Sequence, residues 1–141
     1  MKDLGIEEIS NNEGMFHLQS SLTLLGNDLL VIVSGLGDHI GSITLAQPYT
    51  APLNPNMTAK HIVKEGKERV SSSISTLTQF HHRDDQLLSE FARNLSQQLN
   101  RVVTVVGGIH VNNISKDDIK EISSMLATLE EKIIKKMEQE T

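Results

Sequence analysis

The chain has 141 residues and a net charge of −5. It is 38% hydrophobic, with three Phe, one Tyr, no Trp and no Cys. Without cysteine there are no disulfides, thiol nucleophiles, thiolate-held zinc sites or iron–sulfur clusters. With few rings for stacking and no block of Lys and Arg, no nucleic-acid platform is expected. A second core would leave each half marginal, so one domain is expected, burying roughly 70% of the surface its unfolded chain exposes. Residues 1–8 carry no signal-peptide apolar region and no run of about 20 apolar residues follows, so the expectation is a cytoplasmic protein with no membrane association.

Residues 1–13 are polar and read as a flexible lead-in to a single domain over 14–141. Phe16, Leu18, Leu22 and Leu24 then alternate with polar residues, the period of a half-buried strand. Gly26-Asn27-Asp28 marks a turn into Leu29-Leu30-Val31-Ile32-Val33, which predicts a strand buried on both faces and an antiparallel hairpin. Gly35, Gly37 and Gly41 frame Asp38-His39. Ile43 and Leu45 open a third strand that Pro48 is expected to end, since proline cannot donate to a ladder. Residues 48–68, with three prolines and the cations Lys60, Lys64 and Lys67, read as a long loop. The β-branched content of 70–80 favours a strand, with a helix as the second choice.

Asp84 or Asp85 can cap a helix whose stripe is Leu87, Leu88, Phe91, Leu95 and Leu99. Asn100 and Arg101 end it, and Val102-Val103-Thr104-Val105-Val106 is a short buried strand running into Gly107-Gly108. Ser115 and Asp118 form a variant capping box, followed by the stripe Ile119, Ile122, Leu126, Leu129, Ile133 and Met137. The predicted fold is α+β: a mostly antiparallel sheet with two helices packed on one face, in the order β-β-β-loop-β-α-β-α.

Three polar stretches border these elements. In Asp38-His39-Ile40-Gly41 the glycines permit close approach to the main chain and an anion-binding nest, with His39 as donor or ligand and Asp38 as its orienter. No dinucleotide or P-loop pattern accompanies it. His81-His82-Arg83-Asp84 precedes a helix start, where an anion is favoured and Arg83 can make a forked contact. In Gly107-Gly108-Ile109-His110-Val111-Asn112-Asn113, a strand continued through Val111 would place Gly108, His110 and Asn112 on one side. Each stretch has an ordinary alternative: a glycine turn, a polar junction with a capping Asp84, and a bulge before an Asx turn.

Taken in order, Asp38-His39-Ile40-Gly41, His82-Arg83-Asp84 and Gly108-Ile109-His110-Val111-Asn112-Asn113-Ile114 resemble the LpdD-like family. These are small accessory proteins, or prenylated flavin chaperones, of decarboxylase systems such as gallate decarboxylase. The resemblance runs over residues 14–130 and implies a fold similar to proteasome assembly chaperones, commonly paired as a homodimer. By motif, His39 and Gly41 fall on the family's H-I-G, His82 on its histidine–lysine unit, and Gly108, His110 and Asn112 on its G-I-H-V-N. Arg83 replaces the usual lysine, keeping the charge and changing the geometry.

The resemblance therefore implies a non-catalytic accessory protein that binds prenylated FMN or FMN, a phosphorylated small molecule, and assists a partner decarboxylase. Its cofactor-binding residues would be His39, Gly41, His82, Arg83, Gly108, His110 and Asn112, with the Gly41 N–H receiving the phosphate. One alternative is a metal-dependent hydrolase or lyase using His39, His82 and His110 with Asp38 or Asp84. Another is a structural assembly factor without a small-molecule site.

Overall fold

The computed structural model describes residues 1–11, 15–52, 62–63, 68–79, 85–110 and 113–140, with backbone alone at 51, 52, 62, 63, 68, 69 and 85. The elements are β1 (Lys2–Ser10), β2 (His17–Leu25), β3 (Asp28–Ser34), β4 (Ser42–Pro52), β5 (Ile62–Val63), β6 (Glu68–Thr78), α1 (Asp85–Leu99), β7 (Val103–Gly107) and α2 (Lys116–Gln139). One sheet contains all seven strands in the order β1-β2-β3-β7-β4-β6-β5. Every pairing is antiparallel except β3 with β7, which run parallel. The α+β class and the helix layer agree with the sequence reading.

The β2–β3 hairpin forms as the turn residues predict. Leu25 faces Asp28 across a two-residue loop, and only Gly26 of that loop has positive φ, at 61°, the arrangement of a type II′ turn. Asn100 closes α1 in the left-handed region, at φ 50°. The α2 capping box is complete: Asp118 N–H donates to Ser115 Oγ and Ser115 N–H donates to Asp118 Oδ2, both at 3.0 Å.

Leu18 and Leu22 of β2, Val31 of β3, Val103 and Val105 of β7, Leu88, Phe91 and Leu95 of α1, and Ile122, Leu129 and Ile133 of α2 join in one buried cluster. Both helices thus cover the same face. Polar groups trapped there bond to one another: Thr44 of β4, Thr76 of β6 and Ser89 of α1 close a ring of hydroxyls at 2.9–3.2 Å. Among the described residues, no helix is long and apolar enough to cross a membrane.

Several expectations need correction. Residues 2–10 are no lead-in: β1 pairs along β2, buries Leu4 and is tied to α2 by Lys2 Nζ to Glu140 Oε2 at 2.7 Å and Lys132 Nζ to the Glu8 carbonyl at 2.9 Å. A bulge between Asp3 and Gly5, with the Gly5 N–H bonded to Asp3 Oδ1, breaks the alternation that would have revealed the strand. β3 is buried on one face only, since its pattern alternates and Ile32 is 45% exposed. Pro48 does not end β4. β7 pairs with β4 only through Ala46, so beyond that residue one side of β4 is an edge, where proline is tolerated. Within the stretch predicted as a long loop, residues up to Pro52 belong to β4 and Ile62–Val63 form β5, and residues 53–61 and 64–67 lie outside the described residues. In α2, Met125 joins the buried stripe while Ile119 is 43% exposed.

The opposite face of the sheet carries a cross-strand row formed by Ile32, Val106, Ile43 and Leu77. Ile43 is 39% and Leu77 74% exposed, and neither helix reaches this side.

Candidate functional site

The parallel β3–β7 pair positions the site. Their C-terminal ends emerge side by side, so the 35–41 loop after β3 meets residues 108–110 after β7. The start of β4 and the end of β6 lie at the same end of the sheet, since Ser42 faces both Thr78 and Gly107. Gly107 makes this closeness possible: a Cβ there would stand 2.3 Å from the carbonyl oxygen of Val33. The paired glycines of the third polar stretch thus begin with a residue whose missing side chain admits the neighbouring backbone.

The 35–41 loop is held from within and from β7. Asp38 Oδ1 accepts the Gly35 N–H at 2.7 Å, and the His110 N–H donates to the Leu36 carbonyl at 2.8 Å. Gly37, at φ 68°, packs so tightly that a Cβ would lie 3.0 Å from Cβ of His110. The His39 and His110 rings then stand perpendicular with centroids 6.1 Å apart. Together with Gly37 and Gln79 they line an open hollow of about 360 Å³, within the range of roughly 300–1,000 Å³ typical of ligand pockets.

His39 is oriented by a carbonyl rather than a carboxylate. Its Nδ1 donates to the Gly37 oxygen, so in the neutral ring Nε2 carries the lone pair. The expectation that Asp38 orients His39 gives way to this geometry, because the Asp38 carboxylate serves the Gly35 amide. The expectation for Gly41 also changes: its N–H donates to the Gly107 carbonyl at 2.8 Å, where β4 begins its ladder with β7, so it does not serve as a phosphate donor. Gly108 and Ile109 are buried beneath the hollow and His110 is exposed. β7 ends at Gly107, so His110 is presented from a connection and not from a continued strand.

Of the residues singled out from sequence, His39 and His110 converge, with Gly41 and Gly108 buried close by. His82, Arg83, Asp84 and Asn112 lie outside the described residues. Among the described residues, no three His, Asp or Glu side chains gather to hold a metal ion. Gln79 was missed. It follows a strand-like run and has no chemical signature of its own; the one available signal is its place in sequence, directly after β6 and just ahead of His81-His82-Arg83. Ser42 was also missed; its Oγ is buried at the first residue of β4 with no hydrogen-bond partner among the described residues.

Residues 12–138 match the family described as the prenylated flavin chaperone LpdD-like domain, and the chain belongs to that family. It is 28% identical to Protein LpdD of Lactiplantibacillus plantarum over 120 residues, which cover 84% of this chain and 76% of that protein. It also aligns, at 16% identity and a TM-score of 0.41, with a chain of the crystal structure of a novel chaperone complex for yeast 20S proteasome assembly, covering 95% of this chain and 93% of that one.

Proposed function

We propose that this protein is a non-catalytic chaperone that receives prenylated FMN, or FMN, in the hollow beside His39 and His110 and passes it to a partner decarboxylase. The observation that carries this reading is the convergence of two motif histidines, distant in sequence, on one hollow of about 360 Å³. The His110 ring and the Gln79 amide offer directional contacts to the polar edge of a flavin ring, and the His39 ring forms the wall beside them. The described lining residues include no cation, so balancing the phosphate falls to Arg83, four residues beyond Gln79 and two before α1 begins. His82 and Asn112, each close in sequence to a lining residue, complete the proposed set.

The flavin, when bound, would be the decarboxylase's chemistry in transit; this chain's residues bind and orient it and take no part in bond making. Few aromatic rings surround the site, which suits handing over better than tight retention. We place the pairing with a second copy on the open sheet face with Ile32, Ile43 and Leu77. Titration with FMN and with prenylated FMN, followed by flavin fluorescence and calorimetry, tests the ligand. Binding is expected to weaken at least about tenfold in His110→Ala and in Arg83→Ala, as loss of a charged or directional contact predicts. Failure of both flavins to bind the intact protein would overturn the reading.

A further inference from the structure

The sheet has two edges, and they are built differently. β1 carries Lys2, Asp3, Glu7 and Glu8 and a bulge, devices that keep another chain from pairing with an edge. β6 has β5 beside it only at Glu68 and Arg69, so from Val70 to Thr78 its outer side meets no strand among the described residues. Those nine residues, Val-Ser-Ser-Ser-Ile-Ser-Thr-Leu-Thr, contain no charge and no proline, and their register with β4 is unbroken.

The ladder shows which groups face outward. In β4, Pro48 stands opposite Ser72 and Pro52 opposite Glu68. Proline has no N–H to give, which suits positions whose main chain points away from the neighbouring strand. At the other end, the Gln79 N–H bonds the Gly41 carbonyl at 2.8 Å and sets the same phase. Even-numbered residues of β6 therefore turn N–H and C=O outward: Ser72, Ile74, Thr76 and Thr78.

The side chains of Ile74 and Thr76 also line a hollow of about 540 Å³ with Gln86, Leu87, Ser89 and Glu90 of α1. Its floor makes no polar demand on an occupant, because the Thr76 and Ser89 hydroxyls bond to Thr44 and to each other. Its rim is acidic. The Glu90 side chain is 64% exposed, with its Oε1 3.6 Å from Arg93 Nε.

We propose that the β6 edge takes up an extended segment of a partner protein by strand addition. An apolar side chain of that segment enters over Ile74 and Leu87, and a lysine or arginine two residues along meets Glu90. Outward amides select an extended main chain, the hollow selects side chains at alternate positions, and the carboxylate selects a cation. A second copy paired through β6 would set two Glu90-bearing helices side by side on one face, so the observations favour a different chain. This docking edge stands independently of the flavin reading.

The probe is a capped peptide, Thr-Leu-Thr-Lys-Thr-Val-Thr, added to the isotopically labelled full chain, with amide exchange followed by NMR. Without peptide, the Ile74 and Thr76 amides should exchange at least about tenfold faster than those of Ser73 and Ser75. Peptide should slow Ile74 and Thr76 about tenfold and leave Ser73 and Ser75 unchanged. A peptide with Glu in place of Lys should bind at least about fivefold more weakly, and Glu90→Lys should reverse that preference. No protection at millimolar peptide, or equal binding of both peptides, would overturn the proposal. Protection of Ile74 and Thr76 that rises with protein concentration alone would also overturn it, by assigning the edge to a second copy.

Discussion

The two faces of the sheet use similar residues for different ends. On the helix side Leu18, Leu22, Val31 and Val105 are fully buried; on the other, Ile32, Ile43, Leu45 and Leu77 are 37–74% exposed. From Leu30 through β7, β4 and the described side chains of β6, that open face carries no Lys, Arg, Asp or Glu, although the chain bears a net charge of −5. A face that only needed to stay wet would carry charges. The proposed pairing with a second copy uses this contiguous uncharged face, and the helix-covered face does the work of folding.

That division is open to direct attack. The largest effect is expected on the covered side, where Phe91→Ala empties a fully buried position and should cost about 3–5 kcal/mol in urea unfolding.

An intermediate effect belongs to the seam between the helices. Burial raises the Glu130 carboxyl from its ordinary 4.5 to about 7; the Asn94 amide, donating to Oε1 at 3.2 Å, partly offsets this, and the charges of Glu90 and Glu131 add to the rise. Below pH 4.5 the folded and unfolded chains both hold this proton. Above it the unfolded chain releases the proton first, so stability falls as pH climbs to about 7. Allowing for solvent that still reaches the group, the loss should be about 1–2 kcal/mol. Glu130→Gln should flatten that part of the stability–pH curve; an unchanged slope would show that another group is responsible.

The smallest change in stability is expected on the open face. Ile43→Ser combined with Leu77→Ser should alter monomer stability by no more than about 1 kcal/mol while shifting sedimentation toward the monomer. A loss comparable to that of Phe91→Ala would show that this face is covered from within the chain.

Elements whose signals are local were legible in the sequence. The Gly26 turn, the Ser115–Asp118 cap and the stripe from Leu88 to Leu95 each carry their instruction within a few residues, and each formed where expected. β1 was hidden by its bulge and its charges. The continuation of β4 past Pro48 was hidden because the tolerance depends on where β7 stops, far along the chain. The one-sided burial of β3 was hidden for a related reason: Leu29-Leu30-Val31-Ile32-Val33 looks the same whether the second face meets helices or a partner. At the site, residue types were informative and pairings were not. Histidines beside glycines pointed to His39 and His110, but only the insertion of β7 between β3 and β4 brings them together and occupies the Gly41 amide.

That insertion also orders events in time. During synthesis β3 and β4 emerge early, yet the strand that must lie between them is made only after β6 and α1. Until β7 arrives, the sheet is split into a β1–β2–β3 half and a β4–β6 half, and His39 has no histidine opposite it. Closure of this gap is a long-range event, the kind that sets slow folding steps. The hollow therefore cannot form before β7 enters the sheet and Gly107 docks against Val33.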